Sequence, residues 1–231
     1  VNRIALLKTV LLICGMIKDT TGRSKHITFF IAYLFVLAPG FFLLLSEGKS
    51  KSFLILNAFH TDWLDFFFIC YTELGNGLTM VLLSLFFFFV LKKRKLALTF
   101  VVAYAFTGLL TQLTKPLAES PRPLVYFSPE WLPFFIKGVI HEGRSSFPSG
   151  HTVSAFAAAA VLALYCRSSR LEVLFLILAV TVGFSRIYLS QHFLIDVLAG
   201  SFIGVTGALL CVYWCSNINE ERLLFKKTRQ L

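Results

Sequence analysis

Two histidines and a small set of cations are the residues of this chain whose types and spacing could do chemistry. The stretch SRIYLSQHFLID, from Ser185 to Asp196, carries Arg186, His192 and Asp196. With a helix beginning near Phe193, His192 and Asp196 fall on one face at i,i+4 spacing. A carboxylate there can accept the Nδ1 proton of the imidazole, which fixes the tautomer and leaves Nε2 free as a base or nucleophile. Arg186, one or two turns upstream, can hold an oxyanion. The same residues also suit a membrane-end histidine beside a snorkelling arginine and a helix N-terminal aspartate.

Two further stretches bear on that choice. FPSGH, Phe147 to His151, opens an Ala-rich apolar run. As a helix start it would expose the backbone N–H groups of Ser149, Gly150 and His151 at the positive end of the dipole, which is an anion site. Gly150 permits close approach and the Ser149 hydroxyl adds a donor. A plain N-cap is the other reading of Pro-Ser-Gly. KPLAESPRP, Lys115 to Pro123, sets Lys115 and Arg122 around a Pro-rich turn. Two cations on stiff backbone can clamp a phosphate without a metal, although a membrane-flanking loop would carry such charges too.

The elements that must position these residues are apolar. Of 231 residues, 57% are hydrophobic and 26 are Phe, while 15% are charged. Soluble domains average about 45–50% apolar, so the excess places the chain in a membrane. The net charge of +10 sits in short clusters between apolar runs, which argues for topology signals and against nucleic acid as a partner. The five cysteines have no zinc-like spacing and read as small buried residues. Lys8 interrupts the apolar core of residues 1–17 and no small-x-small site follows, so no cleaved leader is expected.

In chain order, residues 1–26 read as a cytoplasmic interfacial amphipathic segment. Six spans follow within 27–215: Ile27 to Ser46, kinked at Pro39-Gly40; Leu78 to Leu91; Leu96 to Thr114; His151 to Cys166; Leu171 to about Leu189; and Leu194 to Trp214. Phe53 to Gly77 holds His60, Asp62, Asp65 and Glu73 among aromatics and reads as an interfacial or partly buried helix ending at Gly75-Asn76-Gly77. Gly200 and Gly204 form a small-xxx-small packing face. Residues 216–231 are a basic cytoplasmic tail. With six spans, 15 of the 22 Lys and Arg share the side of the N-terminus, the KKRK loop at 92–95, the loop at 167–170 and the tail. The positive-inside rule puts that side in the cytoplasm and the loop from Lys115 to Gly150 outside. The expected fold is therefore all-α: an integral-membrane six-helix bundle with an N-terminal interfacial helix and an extracytoplasmic active-site loop. Its topology gathers Lys115, Arg122, His151, Arg186, His192 and Asp196 at one leaflet, where polar groups are costly unless paired or functional.

Lys115-x6-Arg122-Pro123, Pro148-Ser149-Gly150-His151 and Ser185-Arg186-x5-His192-x3-Asp196 together resemble the three-part signature of the type 2 phosphatidic acid phosphatase superfamily, in its integral-membrane lipid phosphatase branch. The resemblance covers residues 115 to 196 and leaves the first 25 residues and 53–77 outside. It implies His192 as the nucleophile that becomes a phosphohistidine and Asp196 as the group that orients it. His151 would protonate the leaving oxygen, and Lys115, Arg122, Ser149, Gly150 and Arg186 would bind the phosphate oxygens. It implies a metal-independent phosphoric ester hydrolase with no cofactor and a bell-shaped pH profile. Asp196 is the one acid of this set, so no carboxylate cluster is at hand for a divalent ion.

The expected partner is a membrane lipid substrate within the bilayer: polyprenyl pyrophosphate, phosphatidylglycerol phosphate, phosphatidate or a lipid A phosphate. The expected place is a bacterial inner membrane, with the site facing the periplasm or exterior. Lipid phosphotransfer to an acceptor other than water is a second enzyme reading. A transporter or non-catalytic phospholipid-binding protein is a reading from another class. The apolar spans argue against a soluble vanadate-dependent haloperoxidase. Glu119 reads as a surface or salt-bridge residue. His141, Glu142 and Arg144 could form a lid against a solvated-loop alternative, and Trp63, Trp131 and Trp214 fit interfacial belts.

Overall fold

The structure is a computed structural model; it describes residues 26–118, 120–127, 136, 145–166 and 168–216. The N-terminal segment before His26, the tail beyond Ser216, and Glu119, Trp131, His141, Glu142 and Arg144 lie outside the described residues. Those described are helical, with no strand among them. The helices are α1 Ile27–Leu56, α2 Asp62–Tyr71, α3 Gly77–Leu85, α4 Arg94–Ala118, α5 Pro123–Tyr126, α6 Gly150–Tyr165, α7 Ser169–Tyr188 and α8 Leu194–Ser216. A 3-10 turn, Thr72–Gly75, extends α2, and a π turn, Phe86–Val90, extends α3.

Four helices are long and apolar enough to cross a bilayer, or five when the pair Asp62–Gly75 and Gly77–Val90, bent by 58°, is one span. The remaining expected span coincides with α6, whose 16 residues make a helix about 24 Å long at 1.5 Å per residue. The six-span count is thus coarser in the structure than in the sequence reading.

The expected kink at Pro39-Gly40 is not where α1 breaks. The helix runs through Pro39, and its non-helical residue is Gly48, with φ 71° and ψ 180°. Lacking a Cβ, glycine takes that left-handed φ at little cost, whereas Pro39 removes a donor but keeps helical φ. The break lies in the polar stretch expected to end the first span. It turns the last two turns of α1 inward, so that Phe53 is fully buried against Phe193, ring centroids 5.4 Å apart. At the other end of α1, the Glu172 carboxylate of α7 accepts the Phe29 N–H at 3.1 Å and pairs with His26 Nδ1 at 3.0 Å, a tertiary cap on an uncapped helix start.

Helix α6 is the centre of the bundle. Most of it is buried, and it packs chiefly on α8 and α7, then on α4. Its Ala-rich face lets backbones approach. A Cβ added at Gly204 would lie 2.5 Å from the Val153 carbonyl oxygen, and one at Gly200 2.8 Å from that of Ser149. The small-xxx-small face of α8 is therefore the seam against α6. By contrast, 11% of the apolar window of α1 is buried, against 67% for α8, so α1 presents its side chains outward, toward lipid.

Gly204→Ala should destabilise the bundle by about 1–3 kcal/mol, because the new methyl must push α6 backbone aside. Gly108→Ala, where an added Cβ meets nothing within 4 Å, should be neutral or stabilising by up to about 1 kcal/mol from helix propensity. Thermal unfolding of the two variants in the same detergent checks the contrast.

Candidate active site

The ends of four helices build one polar site. The turn from α7 to α8 comes first. Ser190 takes a left-handed φ of 55°, which folds the chain back so that the N–H groups of Gln191 and His192 both donate to the Arg186 carbonyl, at 3.0 and 3.1 Å. The last α7 carbonyls are thereby satisfied and His192 is aimed from a fixed backbone. Asn57, just past α1, clips the same turn by donating from Nδ2 to the carbonyls of Ile187 (3.0 Å) and Tyr188 (2.8 Å).

Asp196 lies in the first turn of α8, fully buried. Its Oδ2 accepts the Phe193 N–H at 2.8 Å, the reach-back half of a capping box. The same oxygen accepts the Ser146 hydroxyl and stands 3.7 Å from His192 Nδ1. Ser146 Oγ is itself 3.2 Å from His192 Nδ1. The helix N-terminal aspartate and the partner of His192 are one residue in two roles.

At the start of α6, Ser149 is the N-cap residue, yet its hydroxyl caps no backbone N–H; it accepts from Thr152 Oγ1 at 2.8 Å, which leaves its own proton to point elsewhere. Its N–H is also engaged, donating to the Asp196 carbonyl at 3.1 Å. This corrects the expectation that Ser149, Gly150 and His151 all expose free N–H groups: tying α6 to α8 takes the first of them. The first intrahelical bond runs from the Val153 N–H to the Ser149 carbonyl, so the N–H groups of Gly150 and His151 precede the helical ladder.

The cations come from three elements. Arg122, immediately before α5, donates from Nη1 to Gln191 Oε1 at 2.5 Å. Arg186, in the last turn of α7, donates from Nη1 to Thr72 Oγ1 at 2.8 Å. Both guanidinium groups are buried, and among the described residues the Nε of each has no hydrogen-bond partner. Lys115 lies in the last turn of α4, within electrostatic reach of Arg122. His151 is within such reach of Arg186, His192, Arg122 and Lys115 together. Lys115, Arg122, Ser149, Gly150, His151, Arg186, His192 and Asp196 therefore all gather at one end of the bundle.

Burial pushes the His192 imidazole down from the ordinary 6.5 to about 4, aided by the positive charges of Arg186 and Arg122 and opposed by Asp196. Other polar residues form a separate cluster. His60 Nδ1 pairs with Asp65 Oδ1 at 3.1 Å, and the Tyr188 hydroxyl donates to the same oxygen at 2.6 Å. Thr61 caps α2, with Asp62 and Asp65 in its first turn. Trp63 and Trp214 are exposed. Ser146, Gln191, Thr72 and Asn57 were not legible as site residues: none belongs to a spacing pattern, and each joins only through tertiary contact.

The sequence model of the PAP2 superfamily matches residues 96–220, more than half of the chain. The chain belongs to the PAP2 superfamily. Among curated relatives, the bacitracin transport permease protein BcrC of Bacillus licheniformis is 32% identical over 143 residues, covering 60% of this chain and 66% of its own. The lipid A 4'-phosphatase of Bacteroides thetaiotaomicron is 28% identical over 173 residues, covering 72% of this chain and 76% of its own. Among solved structures, LpxE of Aquifex aeolicus superposes with a TM-score of 0.61 at 27% identity, covering 71% of this chain and 94% of that one. The matched region contains all eight gathered residues.

The depressed His192 value makes a direct prediction. The neutral ring should persist down to about pH 5, one unit above the midpoint, whereas an ordinary histidine would be mostly protonated there. The nitrogen chemical shifts of the His192 ring, followed by NMR from pH 8 to pH 4, check it; a midpoint near 6.5 would contradict the burial described.

Proposed function

We propose that this chain is a membrane lipid phosphatase that hydrolyses a lipid phosphomonoester or diphosphate without a metal, through a phosphohistidine on His192. The observation that carries this reading is the pair of buried guanidinium groups, each with an Nε unpartnered among the described residues, set around two histidines at helix ends. A buried donor without a partner costs free energy, so such groups signal a ligand that pairs with them. Lys115, Arg122 and Arg186 against the single carboxylate of Asp196 leave an excess of positive charge that suits a phosphate dianion. The Ser149 hydroxyl and the Gly150 N–H add neutral donors at the α6 N-terminus. Relatives named as lipid phosphatases support the lipid class.

The chemistry follows from the geometry. His192 Nε2, held neutral, attacks phosphorus; the N–P bond forms as the P–O bond to the lipid breaks. The departing oxygen takes a proton from His151. Water then attacks the phosphohistidine and gives a proton to His151, and the N–P bond breaks to release phosphate and restore His192. Lys115, Arg122 and Arg186 stabilise the charge that builds on the phosphoryl oxygens.

The arrangement also suits six crossings, with α6 as a short span sheathed by its neighbours. The Lys95 ammonium donates to the Ser216 carbonyl at 3.0 Å, so KKRK sits at the end of the bundle opposite the site. That separation supports a cytoplasmic KKRK and a site facing the exterior or periplasm of a bacterial inner membrane. A lipid headgroup can reach that level while its chains stay in hydrocarbon. The transport name of BcrC favours one rival, a lipid carrier with the same cage. A carrier would bind lipid phosphate and release no inorganic phosphate.

Phosphate release from a panel of lipid mono- and diphosphates, with EDTA present, tests the proposal. Wild type should turn over at least one lipid, and His192→Ala should abolish turnover; Arg122→Ala should lower kcat about 10²-fold or more, as loss of an oxyanion donor does. Loss of activity in EDTA, or retained activity in His192→Ala, would overturn the mechanism. The pH dependence has a definite sign: the reactive His192 is the neutral form, so its lowered value extends activity downward, and the acid limb of kcat/KM should lie below about pH 5. In the substrate complex, where a phosphate dianion offsets the surrounding cations, deprotonation of His151 should set the alkaline limb of kcat.

A further inference from the structure

Asp196 and His192 form a long ion-pair contact, not a close hydrogen bond. Oδ2 and Nδ1 are 3.7 Å apart, beyond hydrogen-bond distance, and the Ser146 hydroxyl sits beside the gap and contacts both, bonded to the carboxylate and 3.2 Å from the ring nitrogen. Ser146 is fully buried. Its backbone N–H donates to the Ser120 carbonyl at 2.7 Å, which pins it to the loop carrying Arg122. The direction of the bonds follows from the inventory of donors. An ionised carboxylate can only accept, so the single Ser146 O–H proton goes to Asp196 Oδ2. Toward His192 the Ser146 oxygen can then only accept, which requires the ring proton on Nδ1 and leaves the lone pair on Nε2.

We propose that Ser146 is a positioning residue of the phosphoryl transfer, its hydroxyl bridging Asp196 to His192 and setting the ring tautomer. This rests on the phosphohistidine reading above. As Nε2 bonds to phosphorus and the lipid oxygen leaves with the proton of His151, the imidazole gains positive charge while Nδ1–H stays in place. Ser146 Oγ accepts from that N–H and donates its own O–H to the carboxylate, so the stabilising charge of Asp196 reaches the ring through one polarised hydroxyl. No proton leaves the relay in the step. It follows that the segment 145–149 must be in place for His192 to be competent: without it the ring faces a carboxylate 3.7 Å away, too distant to fix its tautomer.

The test compares wild type, Ser146→Ala, Ser146→Cys, Asp196→Asn, the Ser146→Ala/Asp196→Asn double variant and His192→Ala on one lipid phosphate. Ser146→Ala should lower kcat about 10–100-fold, the scale on which partners of a functional histidine act, with KM within about twofold because the Ser146 hydroxyl is committed to Asp196 and His192. Its His192 nitrogen shifts should move from a single Nδ1–H tautomer toward a mixture. Asp196→Asn should cost far less in the Ser146→Ala background than in wild type, since the hydroxyl transmits its effect. Ser146→Cys, close in size with a weak S–H donor, decides the matter should the alanine variant fail to fold; kcat should fall about tenfold at unchanged KM. Wild-type kcat and an unchanged tautomer in either variant, or additive effects in the cycle, would overturn the relay while leaving the phosphatase intact. Absence of phosphate release by wild type from every lipid would instead sink the phosphatase reading.

Discussion

The burial of Asp196 is the constraint from which the rest of the site follows. A carboxylate with no exposure must be surrounded by donors or lose its charge. Here the Phe193 N–H and the Ser146 hydroxyl serve one oxygen, while the residue's own carbonyl accepts the Ser149 N–H. That one residue therefore joins the start of α8, the start of α6 and the segment 145–149. The joint is possible because Gly200 and Gly204 let α6 lie against α8 almost backbone to backbone. A larger residue at position 200 would press on the Ser149 carbonyl and part the two helix ends that carry His151 and His192. Packing deep in the bundle thus sets geometry at its end.

The cations are held in a complementary way. Buried arginines are usually stabilised by carboxylates, yet Arg122 and Arg186 are oriented by neutral acceptors, Gln191 and Thr72. A carboxylate partner would neutralise each guanidinium and occupy the donors that an anion needs. A neutral oxygen fixes the direction of the fork without neutralising its charge, although Asp196 acts on Arg122 through space. Glu73 does act on Arg186, but through space and from an exposed position, where solvent screens it. Among the described residues the positive charge of the site exceeds the negative, which favours a bound anion.

The eight gathered residues were legible in the sequence because they recur at fixed spacing around helix ends: His192 and Asp196 one turn apart, Ser149 to His151 at a helix start, Arg186 at a helix end. Helix ends coincide with breaks in apolar runs, which hydropathy finds well. What escaped was set by tertiary geometry. Ser146 looks like any loop serine, and Thr72 lies in a stretch whose acids and aromatics point to an interface. The kink of α1 was misplaced because proline is the louder signal, while the left-handed φ of Gly48 is a property of the backbone. The open Ser149 N–H was misjudged because nothing local shows that the Asp196 carbonyl, 47 residues along the chain, arrives to take it.

The segments outside the matched region are not appendages. The 3-10 turn after α2 supplies Thr72 to Arg186, and a Cβ at Gly75 would strike the His151 carbonyl at 2.7 Å. The broken end of α1 brings Lys49 over the Phe193 ring, 4.3 Å to its centroid, and to the Ser120 hydroxyl at 3.1 Å. Beyond it, Asn57 clips the turn that carries His192. Each outer helix thus turns one or two inward residues onto the back of the site and leaves a broad apolar face outward. The outward face need only remain apolar, since lipid imposes no geometry on it. The inward residues must match particular atoms of Arg186, His151 and the His192 turn. Substitutions on α1 and α2 should therefore divide sharply by face, and the boundary between the two classes is set by which helix surface reaches the turn, not by distance along the chain from the signature residues.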